Sequence, residues 1–135
     1  MAVSSSSASL MDNVKDSLTR EIIGAAIAVS KYWGSAVLES VYKKSLAHEL
    51  KKRGFQVGVE VSIPGVYDTI VFDVAFRADI IVNNSVIVEA KAAAATLPVH
   101  RDQLLTYMRL SGIRTGLLMN FHAYPFTKGI IRLSL

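Results

Sequence analysis

Residues 77–91 read RADIIVNNSVIVEAK, and this stretch decides the fold. It holds two apolar segments separated by Asn83-Asn84-Ser85, which are typical turn residues. Short runs of Ile and Val bounded by a turn predict two neighbouring buried strands. Each strand carries one acid, Asp79 or Glu89, and the second also carries Lys91. Because a buried charge is costly unless it is paired or bound to metal, the hairpin is the first candidate for a functional site.

The length of the loop decides whether the two acids meet. With a three-residue loop, Val82 pairs with Val86. Asp79 then lies opposite Glu89 on the same face, with Cβ atoms about 4.5–5.5 Å apart. A two-residue loop would instead send the acids to opposite faces of the sheet. The chemistry described next therefore needs a loop of odd length.

Two explanations fit these charges. Two carboxylates at that distance repel unless a cation lies between them, and oxygen ligands with open positions suit Mg²⁺ or Mn²⁺. Lys91, on the same face, would then orient the attacking water or stabilise charge at phosphorus. In the alternative, an ion-paired cluster, Asp79 pairs with Arg77 or Lys91, and Glu89 with the other cation. The spacing leaves both open, and Arg77 could also bind a scissile strand.

Composition narrows the class of protein. The 135 residues fit one domain, and the net charge of +4 is compatible with a polyanionic partner. Without cysteine there are no disulfides, iron–sulfur clusters or thiolate zinc sites, which suits a reducing compartment. No apolar run reaches the roughly 18 residues of a membrane span, and the start does not resemble a secretory signal. We expect a cytoplasmic protein that does not enter a membrane.

Periodicity predicts the order helix, helix, four strands, helix, strand, strand. Residues 1–17 are predicted to form a disordered tail, and residues 18–135 one α/β or α+β domain with a mixed sheet flanked by helices. The predicted helices are 19–32, with Thr19 as N-cap, 36–53 and 98–111, and the predicted strands are 55–63, 66–74, 76–82, 86–92, 116–121 and 129–133.

Further motifs surround the hairpin in a fixed order. They are Leu38-Glu39-Ser40-Val41-Tyr42, Arg77-Ala78-Asp79, Val88-Glu89-Ala90-Lys91, Val99-His100 through Gln103-Leu104-Leu105-Thr106-Tyr107, and Gly116-Leu117-Leu118-Met119-Asn120-Phe121. With these motifs, residues 18–133 resemble the small GxxExxY proteins of the PD-(D/E)XK nuclease superfamily. One departure is Ala36, where the family has glycine, and it raises the question of how the chain enters the second helix.

The resemblance implies a restriction-endonuclease-like core and a metal-dependent nuclease site. Asp79 and Glu89 would be metal ligands for Mg²⁺ or Mn²⁺, the carbonyl of Ala90 a further ligand, and Lys91 the catalytic lysine. Glu39 would complete the acidic site from a helix over the sheet. Without the resemblance, the sequence favours an exposed glutamate of the first helical turn at Glu39 over a site residue.

The resemblance also implies a nucleic-acid substrate, in the first place DNA. Gln103 and Tyr107 look like the QxxxY element of exonuclease-like members, which approaches the substrate backbone. They share a helix face with His100 at i, i+3 and i+7, and the alternative is an ordinary solvated face. The basic residues of the second helix could steer phosphate or form a solvated helix end; these are Lys43, Lys44, Lys51, Lys52 and Arg53.

Two functions remain open from the sequence. The first is a Mg²⁺-dependent phosphodiesterase acting on DNA. The second is a catalytically silent module of the same fold that binds nucleic acid or protein. The length leaves little room for a separate recognition domain, so selection would come from nucleic-acid structure, a partner or homodimer formation.

Overall fold

The computed structural model describes the backbone of residues 2–135 and the side chains of residues 17–135. The helices are α1 (Ala2–Trp33), α2 (Glu39–Lys52) and α3 (Pro98–Ser111), and the strands are β1 (Val57–Tyr67), β2 (Ile70–Val82), β3 (Val86–Lys91), β4 (Thr115–Asn120) and β5 (Ile130–Ser134), with a 3₁₀ helix (Phe126–Gly129) before β5. The predicted disordered tail falls almost wholly on residues whose side chains lie outside the described part, and it stays a prediction.

The five strands form one mixed sheet in the order β1-β2-β3-β4-β5. Only the β3–β4 pair is parallel, because α3 carries the chain back across the sheet between these two strands. One face packs against α1 and α2, with Ile80 and Val88 in that core. The other packs against α3, with Ile81 and Ile87 in that core. The predicted mixed sheet flanked by helices is confirmed.

The β2–β3 hairpin has the register that the odd-length loop predicts. Val82 pairs with Val86, and the pairing continues to Ile80 and Val88. Asn83 and Asn84 both adopt positive φ, near +51°, which asparagine tolerates better than most residues. The loop length thus keeps Asp79 and Glu89 in phase.

The region before this hairpin differs from the prediction. The predicted strands 55–63, 66–74 and 76–82 are two long strands, joined by a turn at Asp68-Thr69. Pro64-Gly65 does not end a strand but lies at a register shift within β1. Because β1 is at the edge of the sheet, Pro64 can lie in it without removing a ladder hydrogen bond on its outer side. The prediction of three strands between residues 55 and 82 was wrong; there are two.

The helices follow the prediction closely at their C-terminal ends. α3 has the predicted bounds, and Gly112 after it takes a left-handed φ of 75°. α2 begins at Glu39, three residues later than predicted. Thr19 is not an N-cap, because the preceding described residues are already helical; among the side chains described, 17–135, its buried hydroxyl finds no hydrogen-bond partner.

The entry to α2 does not need the family's glycine at position 36. The left-handed turn after α1 is made by Gly34, at φ 66°, whereas Ala36 has no positive φ. The hydroxyl of Tyr42, fully buried, donates to the carbonyl of Gly34 at 2.6 Å and ties the connection to α2. Alanine at position 36 is therefore compatible with the way the chain enters α2.

Among the described residues, no helix is both long enough and apolar enough to cross a membrane.

Candidate active site

The candidate site lies where β2 and β3 stop pairing through their backbones. The regular ladder runs from Val82–Val86 to Ile80–Val88. The next residues along the two strands are Asp79 and Glu89, each less than a tenth exposed. The backbone pairing of β2 and β3 therefore ends next to Asp79 on one strand and Glu89 on the other.

Each acid accepts a hydrogen bond from the opposite strand. The backbone N–H of Asp79 donates to Oε2 of Glu89 at 2.7 Å. The backbone N–H of Ala90 donates to Oδ2 of Asp79 at 3.0 Å. The carboxylates thus satisfy buried backbone donors that the ladder no longer serves, and this fixes both side chains close together.

Burial favours the neutral forms of both acids. Desolvation, reinforced by the charge of Asp79, raises the pKa of Glu89 to about 8. Desolvation also raises the pKa of Asp79, although the Ala90 amide and Lys43 oppose it. A cation beside the two carboxylates would favour their charged forms.

Lys43, on α2, contributes the nearest cation, and the sequence reading missed this role. Its Nζ lies 3.1 Å from Oδ1 of Asp79 and 3.1 Å from Oε1 of Glu60 on β1. Burial lowers the pKa of Lys43, but the bonds to both acids outweigh it and raise the pKa to about 12. One signal was available: Lys43 follows Glu39 by four residues and so shares its helix face.

Lys91 is half-buried at the end of β3. In the described part of the chain it forms no ion pair within 4 Å, yet its charge lowers the pKa of both Asp79 and Glu89. Its carbonyl accepts from the backbone N–H of Phe121 at 2.8 Å. The lysine side chain is therefore close to the acids without being neutralised by either.

Asn120, buried at the end of β4, holds the segment that follows Lys91. Its Oδ1 accepts from the N–H groups of Ala93 and His122, at 3.2 and 3.1 Å. Its Nδ2 donates to the carbonyl of Ala93 at 2.9 Å. Sequence reasoning placed Asn120 in a family motif but gave it no role.

Glu39 begins α2 and borders the site. Its Oε1 accepts from the backbone N–H of Ala92 at 3.3 Å, just beyond Lys91. Glu39 therefore does more than interact with the helix dipole from an exposed position, because its side chain also binds the backbone of Ala92. It also does not join Asp79 and Glu89 in one cluster.

Of the three α3 residues predicted for the site, Tyr107 lies near Asp79 and Glu89, whereas Gln103 and His100 have other surroundings. Tyr107 stacks on Phe76 with ring centroids 3.8 Å apart, and burial followed by the charges of Glu89 and Asp79 raises its pKa. Gln103 is exposed. His100 accepts the backbone N–H of Leu97 on Nδ1 at 3.2 Å, so it stabilises the start of α3.

Arg77 does not take the place that the register predicted. It is exposed and pairs across the sheet with Ser62 of β1, rather than facing Lys91. The ladder between β2 and β3 has already ended at Ile80. The alternative of an Asp79 ion pair with Arg77 or Lys91 is corrected as well, because Lys43 makes that pair.

The donor set fits a small oxygen-preferring cation with few protein ligands. Within the described side chains, no group of three or more His, Cys, Asp and Glu residues could hold a metal. Two buried carboxylates remain, and Mg²⁺ characteristically takes one or two carboxylates and keeps several waters. The carboxylate pair therefore suits Mg²⁺ or Mn²⁺, while the predicted fourth ligand, Glu39, is not gathered with it.

A mixed five-stranded sheet flanked by three helices, with acids where two central strands part, defines a restriction-endonuclease-like α+β protein. The chain belongs to the PD-(D/E)XK nuclease superfamily, whose family model matches residues 16–133. Comparison with curated proteins and with solved structures gave no match.

Proposed function

We propose that this chain is a Mg²⁺- or Mn²⁺-dependent nuclease of the GxxExxY kind that hydrolyses phosphodiester bonds of DNA. Its setting would be the cytoplasm, in repair, defence or nucleic-acid processing. Membership of a nuclease superfamily gives the class of reaction. The metal, the substrate and the setting are the proposal.

One observation carries the proposal. Asp79 and Glu89 are held side by side by reciprocal bonds to the backbone, and Lys91 lies near them without an acidic partner within 4 Å among the described residues. A lysine without an ion pair in the described part of the chain, beside two buried acids of which Asp79 has Lys43 as its cationic partner, suits a phosphate and a cation.

Each residue then has a part in the reaction. Asp79 and Glu89 would hold the cation, with the Ala90 carbonyl as a further candidate, while Glu39 holds the Ala92 amide at the border of the site. A bound Mg²⁺ would activate water and offset the charge of the phosphate. Lys91 orients that water or stabilises charge on the phosphate oxygens. Tyr107 and Gln103 on α3, with Arg77 on β2 and His100, are the candidates for contact with the nucleic-acid backbone.

A cleavage assay tests the proposal. Single-stranded, double-stranded and flapped DNA, with matching RNA, are incubated with Mg²⁺ or Mn²⁺ and the purified protein. We expect metal-dependent cleavage of DNA, reduced on the order of 100-fold in Lys91→Ala because charge on the phosphate is no longer stabilised. Lys31→Ala, at an exposed lysine of α1, is the matched control and should cleave as the wild type does. Cleavage undiminished in Lys91→Ala would come from a contaminant and would count against the proposal.

A second candidate is a catalytically silent module that binds nucleic acid or protein, as a monomer or a homodimer. The Lys43–Asp79 ion pair favours it, because an internal cation already neutralises one of the proposed ligands. The same assay distinguishes the two. Retention of DNA in a gel-shift experiment, with every substrate left intact in both metals, would favour the module.

A further inference from the structure

Lys43 and Glu60 form a second charged pair directly beside Asp79. The ammonium of Lys43 lies between the two carboxylates, at 3.1 Å from each. The exposed fractions of the side chains are 22% for Lys43, 49% for Glu60 and 12% for Asp79. The lysine therefore bridges a buried acid and one that faces solvent.

Glu60 has an unusual backbone conformation for a residue inside a strand. Its φ is +52°, in the left-handed region that side chains other than glycine and asparagine rarely adopt. Its neighbours pair regularly, Val59 with Ile80 and Val61 with Ala78, so Glu60 is the β1 residue next to Asp79 and no residue has been inserted. The departure is local, and its result is a carboxylate within reach of Lys43. Strained residues of this kind concentrate at functional sites.

The contacts of Asp79 make Lys43 a competitor for any metal. Oδ2 of Asp79 accepts from Ala90, and Oδ1 is taken by Lys43. A divalent cation at Oδ1 would meet the ammonium at close range, where like charges repel strongly. The ammonium must then leave Oδ1, and Glu60 is the acid it already contacts.

We infer that Lys43 is an internal counter-ion which neutralises Asp79 before metal binds, and that Glu60 retains its ammonium when metal displaces it. Both are positioning residues that set the metal affinity. The inference rests on the proposed metal-dependent function, and it adds that metal binding is opposed by Lys43 and made easier by Glu60.

Calorimetric titration of the metal-free protein with MnCl₂ alone tests this without any measurement of activity. Lys43→Gln should bind Mn²⁺ about ten-fold more tightly than the wild type, because the competing charge is gone. Lys44→Gln is the matched control: the same change of charge at the next, exposed residue should alter the affinity by less than about two-fold. Glu60→Gln should weaken binding several-fold, since the ammonium is left with Asp79 as its sole partner.

The double variant separates retention of the ammonium from a simple effect of charge. If Glu60 acts through Lys43, Glu60→Gln should have no effect in the Lys43→Gln background. An effect of equal size in both backgrounds would show that Glu60 acts on the metal directly, and would overturn its part of the inference. Unchanged or weaker binding by Lys43→Gln, in protein that melts cooperatively, would overturn the part of Lys43.

Failure of the inference is distinguishable from failure of the proposed function. If the wild type binds Mn²⁺ and cleaves DNA, but Lys43→Gln has the same Mn²⁺ affinity as the wild type, the inference is wrong and the proposed function is not affected. If neither the wild type nor any variant binds Mn²⁺, both the inference and the proposed metal-dependent function are wrong. Should Lys43→Gln not fold, Lys43→Arg with Glu60→Gln serves instead. Glu60→Gln must then still weaken binding in the Lys43→Arg background, and no weakening there would overturn the inference.

Discussion

Glu89 is a carboxyl group whose burial links protonation to stability. Its pKa is raised from an ordinary 4.5 to about 8, first by desolvation and then by the charge of Asp79. Between these two pH values the folded protein therefore keeps Glu89 protonated, whereas the unfolded chain has released that proton. Stability from this group is present below pH 4.5 and is lost as the pH rises to about 8.

The melting temperature of the metal-free protein should therefore fall between pH 5 and pH 9. Glu89→Gln, which cannot ionise, should show a flatter profile, measured by circular dichroism in the presence of a chelator. Glu49→Gln is the control: the hydrogen bond from Arg53 holds the pKa of Glu49 below its usual 4.5, so its titration lies below this window. Parallel profiles for the wild type and Glu89→Gln would contradict the prediction.

At the scale of single residues, the sequence yielded the acids but not their closest cation. Asp79 and Glu89 stand out because each is a charge inside a buried apolar strand. Lys43 looked like one of five basic residues on a solvated helix. Its position four residues after Glu39 was the one signal, and the packing of α2 over the sheet brings it to Asp79. Glu60 could not be found either, because nothing in a sequence marks a glutamate that takes a left-handed conformation.

At the scale of elements, the α1–α2 connection depends on one buried hydroxyl. Tyr42 donates to the carbonyl of Gly34 and stacks on Phe121, with ring centroids 4.7 Å apart. Tyr42→Phe keeps the ring but removes the donor, and should lower the free energy of unfolding by about 1 kcal/mol in a urea titration. Tyr124→Phe makes the same change at a side chain that is 93% exposed and should be neutral. An equal effect of both variants would contradict the assigned role.

Elements with strong local signals were predicted well, and an element set by its place in the sheet was not. Pro98 and Gly112 mark the ends of α3 because proline suits a first helical turn and glycine a left-handed end. The odd length of the loop 83–85 fixed the register of β2 and β3. Pro64 was taken as a strand end, since a sequence does not reveal that its strand lies at an edge.

At the scale of the whole molecule, the far end of the β1–β2 hairpin lies outside the two cores. Val71 and Phe72 are 68% and 47% exposed, whereas Ile80, on the same strand, is fully buried. Val71→Thr combined with Phe72→Ser should change the free energy of unfolding by less than about 0.5 kcal/mol. Ile80→Ala should cost about 2–5 kcal/mol, because it leaves a cavity between the sheet and the helices. Urea unfolding of both proteins checks this, and a large loss from the hairpin variant would show that the hairpin packs against something.

The bonds between the two acids and the opposite strands also bear on how such a protein could change over many generations. A leucine or valine at position 79 or 89 would remove a proposed metal ligand and would also leave a backbone amide in the sheet without its acceptor. A descendant with an apolar residue at either position would first have to rebuild this corner of the fold. The architecture itself thus favours keeping both acids.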